Sequence, residues 1–226
     1  MKTCILLGDR SDIAKALLPY LVADGWTVHG WNRGSVAKPV NWDLFLCAMG
    51  VVAPVGPWDK NTADDFYDCI NSNLVLPINI LREYWPLRNP GASVCFLGGS
   101  NPQKIMPGYL AYNTSKMALL KAVEQIDYES PDCTVFALGP GYVKTKIHKA
   151  TLKVNWPNER IARGDDGTPI ERIWECLKWC IAQPKGTVGG RNICVSDPWD
   201  KPDGFWGPLG DWLEKNPNMF KLRRME

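Results

Sequence analysis

Histidine is scarce in this 226-residue chain: only His29 and His148 occur, far apart, and no Cys-x-x-Cys pair accompanies them. A zinc site of ordinary ligand spacing is therefore not expected. No apolar run approaches the ~20 residues that cross a membrane. The opening residues, MKTCILLG, are too short an apolar run for a signal peptide and pass straight into a glycine turn. A soluble, cytoplasmic protein is the expectation. Neither sign of charge dominates, with 26 Lys and Arg against 24 Asp and Glu. That balance argues against a dedicated nucleic-acid binder. Internal repeats, low-complexity tracts and linkers are also missing before about residue 197. The simplest organisation is one domain, long enough for a sizeable core.

Cysteine and tryptophan, by contrast, are plentiful, at eight and eleven residues. Cys4, Cys47, Cys95, Cys133 and Cys194 fall in stretches that read as buried strands, where a free thiol behaves as a small hydrophobe. Apolar runs at 4–7, 27–31, 44–47, 94–97, 134–138 and 192–195 alternate with helical segments. Continuous apolar strands between helices predict an α/β fold, a Rossmann-like, doubly wound parallel sheet of about six strands. Only ten residues, Pro39 among them, separate Arg33 from Leu44. They are too few for a helix, a strand and a return, yet ten extended residues reach about 33 Å, enough for a direct link of roughly 20 Å. The sheet should therefore be trimmed after its second strand.

The chemistry centres on Tyr112 and Lys116, four apart at the start of a long helix, with Ser100 upstream at the end of an apolar strand. Residues at that spacing share a helical face. A phenol beside an ammonium is an acid–base pair: tyrosine titrates near ~10, and a cation within about 4–6 Å favours the phenolate. Tyr142 and Lys146 show the same spacing, but they lie in a Gly-Pro-Gly loop. Context selects Tyr112.

The first strand ends in Gly8-Asp9-Arg10-Ser11-Asp12-Ile13-Ala14, a turn into an amphipathic helix. Backbone N–H groups at such a helix start suit a pyrophosphate. Asp12 would repel phosphate, so it is expected to cap the helix. The second strand ends in Asn32-Arg33. An acidic residue there would hold a ribose 2′-hydroxyl, whereas an arginine suits a 2′-phosphate, so Arg33, with Arg10 as a second cation, favours NADP(H) over NAD(H). From its local setting Asn73 reads as a helix-start residue. The fifth strand runs into Gly139-Pro140-Gly141-Tyr142-Val143-Lys144-Thr145, at the end of the sheet where ligands bind. From 144 to 163 the cations Lys144, Lys146, Lys149, Lys153, Arg160 and Arg163 face Glu159 alone. Two readings stand: a lid over an anionic substrate, with the lid at about 144–168, or a solvated surface loop. Residues 169–182 read as a further helix carrying Cys176 and Cys180. Residues 1–196 form the proposed domain, and 197–226, with Trp199, Trp206 and Trp212, a packed extension.

Together these pieces resemble the short-chain dehydrogenase/reductase family from residue 4 to about 195. Its glycine motif falls on Gly8, Asp12 and Ala14, so two of three glycines are replaced. Its Asn-Asn-Ala-Gly strand end falls on Cys47, Ala48, Met49 and Gly50. Its catalytic Asn, Ser, Tyr and Lys fall on Asn73, Ser100, Tyr112 and Lys116. The Ser-to-Tyr spacing is one residue short, with Gly99 at the usual position. Its Pro-Gly loop falls on Pro140, Gly141, Val143 and Thr145. The resemblance implies hydride transfer between NADP(H) and a carbonyl or alcohol, without a metal. Tyr112 would be the acid or base. Lys116 would lower its pKa and hold the nicotinamide ribose, Ser100 would polarise the carbonyl, and Asn73 would anchor a relaying water. Cofactor contacts would come from Gly8, Arg10, Ser11, Asp12, Ile13, Asn32, Arg33, Ala48, Met49 and Gly50, with Tyr112, Lys116 and the Pro-Gly loop. A homodimer or homotetramer would pair through helices at 74–85 and 109–129. The tail loosely resembles that of bacterial members linked to cell-surface polysaccharide synthesis, which would suit a sugar-related substrate. Two other readings are an epimerase or dehydratase with a transient hydride step, and a non-catalytic NADP(H) sensor or scaffold.

Overall fold

The apolar runs assemble into one parallel sheet of six strands in the order β2-β1-β3-β4-β5-β6. These are β1 Lys2–Leu7, β2 Trp26–Trp31, β3 Trp42–Cys47, β4 Arg88–Leu97, β5 Thr134–Gly139 and β6 Asn192–Cys194. The computed structural model describes residues 2–32, 39–100, 102–153, 164, 166–201 and 208–222.

Strand side chains alternate between the two faces, as the pleat requires. Cys4, Leu6, Leu44 and Leu46 belong to one apolar cluster, and Ile5, Leu7, Phe45 and Cys47 to the other. On the first face pack α1 (Asp12–Ala23) through Leu17 and Leu21, and α6 (Ile170–Ala182) through Ile173 and Leu177. On the second pack α3 (Leu76–Tyr84) and α4 (Leu110–Glu129), through Ile80, Leu81, Leu119 and Val123, and α2 (Ala63–Ile70) packs against α4. Burying each such side chain is worth about 1.5–3 kcal/mol. Two covered faces make the sheet doubly wound.

The trimmed edge is present. β2 is the outer strand, and the chain returns across β1 to β3 without an intervening strand or helix among the described residues. Trp42 fixes that return: it is fully buried, and its indole N–H donates to the Tyr84 carbonyl at 2.8 Å.

Three elements differ from expectation. β4 starts at Arg88 instead of 94, because its polar head, Arg88-Asn89-Pro90-Gly91, gives no apolar signal yet still pairs with Trp42 before a shift in register. β6 spans only three residues. Asn73 does not start a helix. The backbone stays helical from α2 into α3 through one wide turn, Asn71–Val75, and Asn73 sits inside it, buried. Such turns take an extra residue into a helix and recur at functional sites.

Beyond β6, α8 (Leu209–Lys215) sets Leu209 and Leu213 into the first core cluster. Arg191, fully buried, donates to carbonyls of Gly186 and Thr187 in the short helix α7 (Lys185–Val188). Its other terminal nitrogen donates to Leu213 at 2.8 Å and Asn216 at 3.4 Å. These carbonyls lie at the C-terminal ends of two short helices, where a second lone pair is open to a donor. The ring of Trp199 is buried under the Arg172 guanidinium, 4.4 Å away. Among the described residues no helix is long and apolar enough to cross a membrane.

Candidate active site

The chain leaves β1 in one direction to β2 and returns on its other side to β3, and such a reversal opens a crevice at the strand ends. Gly8 closes its floor. Its φ is +81°, and a Cβ there would lie 2.7 Å from the Met49 Cβ and 2.8 Å from the Met49 nitrogen. Only glycine lets the loops after β1 and β3 touch in this way.

At the start of α1 the capping expectation is corrected. Ser11 is the cap, its hydroxyl accepting from the Ala14 N–H at 3.1 Å. Asp12 is instead held by Lys146. The Lys146 backbone N–H donates to Oδ2 at 2.8 Å, and its ammonium lies 3.2 Å from Oδ1. The ammonium also donates to the Arg10 carbonyl at 3.3 Å. These bonds from Lys146 keep the Asp12 carboxyl below its usual pKa. Beside β2, the Asn32 amide donates to Asp9 Oδ1 at 2.9 Å. Arg33 lies outside the described residues, as do Arg160, Arg163, Glu159 and Trp206.

Asn73 ties the loop after β3 to α4. Its Oδ1 accepts from Val51 N–H at 2.8 Å, and its Nδ2 donates to the Val51 carbonyl and to Ser115 Oγ, both at 2.9 Å. Ser115 in turn donates to the Tyr112 carbonyl at 2.7 Å. One amide thereby spans three segments.

Lys116 is buried, donates to the Leu97 carbonyl at 2.8 Å, and lies 5.9 Å from the centre of the Tyr112 ring. Burial lowers the Lys116 pKa. Tyr112 is half-buried, and desolvation pushes it up to about 12. A Lys116 that lowers the tyrosine pKa is thus not what this arrangement gives. The ammonium is turned to the end of β4, and loss of water outweighs its field.

The Ser100 hydroxyl accepts from the Gly141 N–H at 2.6 Å, joining the end of β4 to the Pro-Gly loop. A Cβ built on Gly99 would stand 3.8 Å from the Tyr112 hydroxyl, so a side chain at 99 would face the phenol. Cys194 and Asn192 of β6 steady this strand end, donating to the carbonyls of Ser100 at 3.1 Å and Gly99 at 2.9 Å.

These segments enclose a cavity of about 600 Å³. Its wall includes Ser11, Asp12, Ile13, Ala48, Met49, Gly50, Ser100, Tyr112, Lys116, Pro140, Gly141, Val143 and Thr145. Gly8, Arg10, Asn32 and Asn73 stand outside that wall. The sequence did not single out Val51, Val52, Ala53, Pro102, Met106, Tyr109, Ile147 or His148 as wall residues. They carry no local signal because loops distant in sequence bring them together. Tyr109 bonds Thr151 of α5 (Lys149–Lys153) at 2.8 Å between hydroxyls, and the Tyr142 and His148 rings pack at 4.8 Å. All eight cysteines are free and buried, and no group of metal-ligating side chains occurs among the described residues.

A family profile described as Enoyl-(Acyl carrier protein) reductase matches residues 13–176. The short chain dehydrogenase adrF of Penicillium rubens is 24% identical over 174 residues, covering 70% of this chain and 68% of the relative. A solved 4-hydroxyisoleucine dehydrogenase complexed with NADH superposes with a TM-score of 0.67 at 19% identity, covering 86% of this chain and 96% of that one. BdcA in complex with NADPH superposes at 0.71 and 18% identity, covering 85% and 92%. With the trimmed parallel sheet, the switch-point cavity and the tyrosine–lysine helix, these matches establish that the chain belongs to the short-chain dehydrogenase/reductase family.

Proposed function

We propose that the protein is an NADP(H)-dependent oxidoreductase that interconverts a carbonyl and an alcohol. One observation carries this reading: Tyr112 and Lys116 share a single cavity with the first turn of α1. The residues present fit a nicotinamide nucleotide. Ser11, Asp12 and Ile13 offer first-turn backbone to a pyrophosphate. At Gly50 a Cβ would lie 3.2 Å from Asn73 Oδ1 and 3.6 Å from the Lys116 ammonium, so its absence keeps a cradle open beside the cation.

When bound, the nicotinamide supplies or accepts the hydride. The phenol of Tyr112, protonated across the neutral range, gives its proton to the carbonyl oxygen in reduction. Ser100 accepts from Gly141 and so keeps its own hydroxyl proton to offer to the same oxygen as charge develops there. Lys116 holds the ribose hydroxyls. Asn73 positions Lys116 and Tyr112 through Ser115 and the Gly50–Val51 backbone. Preference for the 2′-phosphate rests on Arg33, the second residue after β2 in the sequence.

The lining favours a substrate with an apolar flank over the anionic compound suggested by the basic 144–163 stretch or the sugar-related one suggested by the tail. Among the described lining residues the two lysines, Lys116 and Lys146, are both engaged. Val52, Met106, Tyr109, Tyr142 and Ile147 present carbon instead. Residues 144–168 serve as the lid of the 1–196 domain, and 197–226 as its extension. The subunits pair as a dimer or tetramer through the helices at 74–85 and 109–129, and sedimentation checks that oligomeric state.

A non-catalytic NADP(H) sensor is the second reading, favoured by Asp12 and Gly99 where the family carries glycine and serine. Tryptophan-fluorescence titration with NADPH and NADH, side by side, tests cofactor choice. At least tenfold tighter NADPH binding, about 1.4 kcal/mol, is expected. Equal affinities remove the NADP(H) assignment, and no binding of either removes the reductase. NADPH consumption that depends on an added apolar ketone separates enzyme from sensor.

A further inference from the structure

We propose that Lys146 is part of the cofactor site, neutralising the Asp12 carboxylate so that the first turn of α1 accepts a pyrophosphate. The inference rests on the nicotinamide-nucleotide reading above and concerns a residue which that reading leaves unassigned.

The starting point is a conflict. A helix start attracts anions because its first amides lack intrahelical partners and carry the positive end of the dipole. In this chain a carboxylate occupies the first helical position, where the family motif has glycine. Asp12 also borders the cavity, so its charge stands beside the place an anion would take. It does not cap the helix, since Ser11 does that. Left alone, Asp12 would oppose the ligand that the helix start favours.

Lys146 answers both carboxylate oxygens. Its backbone N–H takes Oδ2 at 2.8 Å and its ammonium approaches Oδ1 to 3.2 Å. The ammonium also reaches the Arg10 carbonyl at 3.3 Å, so it spans the turn from β1 to α1. Asp12 and Lys146 are 134 residues apart, and both line the cavity. The side chains remain partly exposed, 34% for Asp12 and 58% for Lys146. An exposed pair of this kind adds little to folding stability. Its effect falls on whatever anion approaches the turn, because a neutralised carboxylate no longer repels it. The same bonds place the Pro-Gly loop over the start of α1, so the two walls of the pyrophosphate end are joined.

The test is a double-mutant cycle read by nucleotide affinity, with tryptophan fluorescence as the signal and thermal midpoints measured without nucleotide to confirm folding. Lys146→Ala should weaken both NADPH and NADH about tenfold or more, because the two share the pyrophosphate. In an Asp12→Gly background the same change should cost less than about threefold, since no carboxylate is left to uncover. Asp12→Asn, which keeps side-chain size at the helix start, should suppress the loss in the same way. A loss confined to NADPH would put Lys146 on the 2′-phosphate and overturn the proposal. A loss that persists undiminished without Asp12, or no loss at all, would also overturn it. If the unaltered protein binds neither nucleotide, the cofactor reading itself fails and takes this inference with it. That result is seen before any variant is made.

Discussion

The starts of α1 and α4 face the same cavity, but they keep their chemistry in different ways. At α4 the pair is local: Tyr112 and Lys116 stand one helical turn apart, and helical spacing puts them on one face. At α1 the local motif is altered, and the carboxylate that replaces a glycine is balanced from a loop 134 residues away. Acid–base geometry that depends on helical spacing is written in a few adjacent letters. Charge balance depends only on where charges end up in space, so a remote residue supplies it. If the proposed role of Lys146 holds, motif decay at α1 does not measure loss of the site.

The sharpest way to break this contrast is at α4. Tyr112→Phe should lower turnover by about 10²- to 10⁴-fold and leave NADPH affinity within about twofold, by stopped-flow kinetics and fluorescence titration. Lost binding in a folded protein would overturn the assigned role. Asn73→Leu strips partners from the Val51 N–H and carbonyl and from Ser115. Urea unfolding should show a loss of about 2–4 kcal/mol, and a loss under 0.5 kcal/mol would mean the wide turn is held by packing alone.

Ser100→Ala should cost about 100-fold in kcat, the low end of the range for removing one donor to a developing oxyanion. Gly99→Ser places a hydroxyl toward Tyr112 with only ordinary contacts around its Cβ. Adding it to Ser100→Ala should recover part of the loss, whereas full recovery with unaltered folding would make 99 the natural place for the donor. The pH profile sharpens the comparison further. Tyr112 is raised to about 12, so the proton that reduction needs is present below that value. Reductive kcat should stay flat from about pH 7 to about pH 10, while oxidation, which needs the phenolate, climbs with pH. A reductive profile that falls near pH 7 would show that Lys116 and bound nucleotide overcome burial. The smallest effect belongs to the other Tyr-x-x-x-Lys. Tyr142→Phe keeps the ring that packs on His148 and should change turnover by less than about twofold.

Much of the fold is legible from the letters because buried parallel strands are continuous apolar runs. The pattern gave all six strands, and the ten residues after Arg33 gave the trimmed edge. The head of β4 escaped because Arg88-Asn89-Pro90-Gly91 is polar, and its pairing is imposed by Trp42 across the sheet. The wide turn at Asn73 escaped because one extra residue in a helix leaves no compositional trace. In the site, thirteen residues singled out from the sequence do line the cavity. Asn73 lies behind the wall. Lys146 was set aside as half of a decoy because it lies in a Gly-Pro-Gly loop, while its partner Asp12 is 134 residues away and leaves no local signal. The direction of the Tyr112 shift was missed for the same kind of reason. Spacing shows that a cation is near; it does not show how much water has been removed.

Arg191 reaches the tail through backbone carbonyls alone. A carbonyl has no identity, so the guanidinium recognises the course of the last helix and not the residues that compose it. Different sequences could occupy 209–216 as long as they keep apolar side chains at 209 and 213, coil there and expose their final oxygens. Removing the segment is another matter, because it leaves one terminal nitrogen of that guanidinium without the carbonyls it donates to. The exposed letters of this helix are free to drift; its buried leucines and its presence are not.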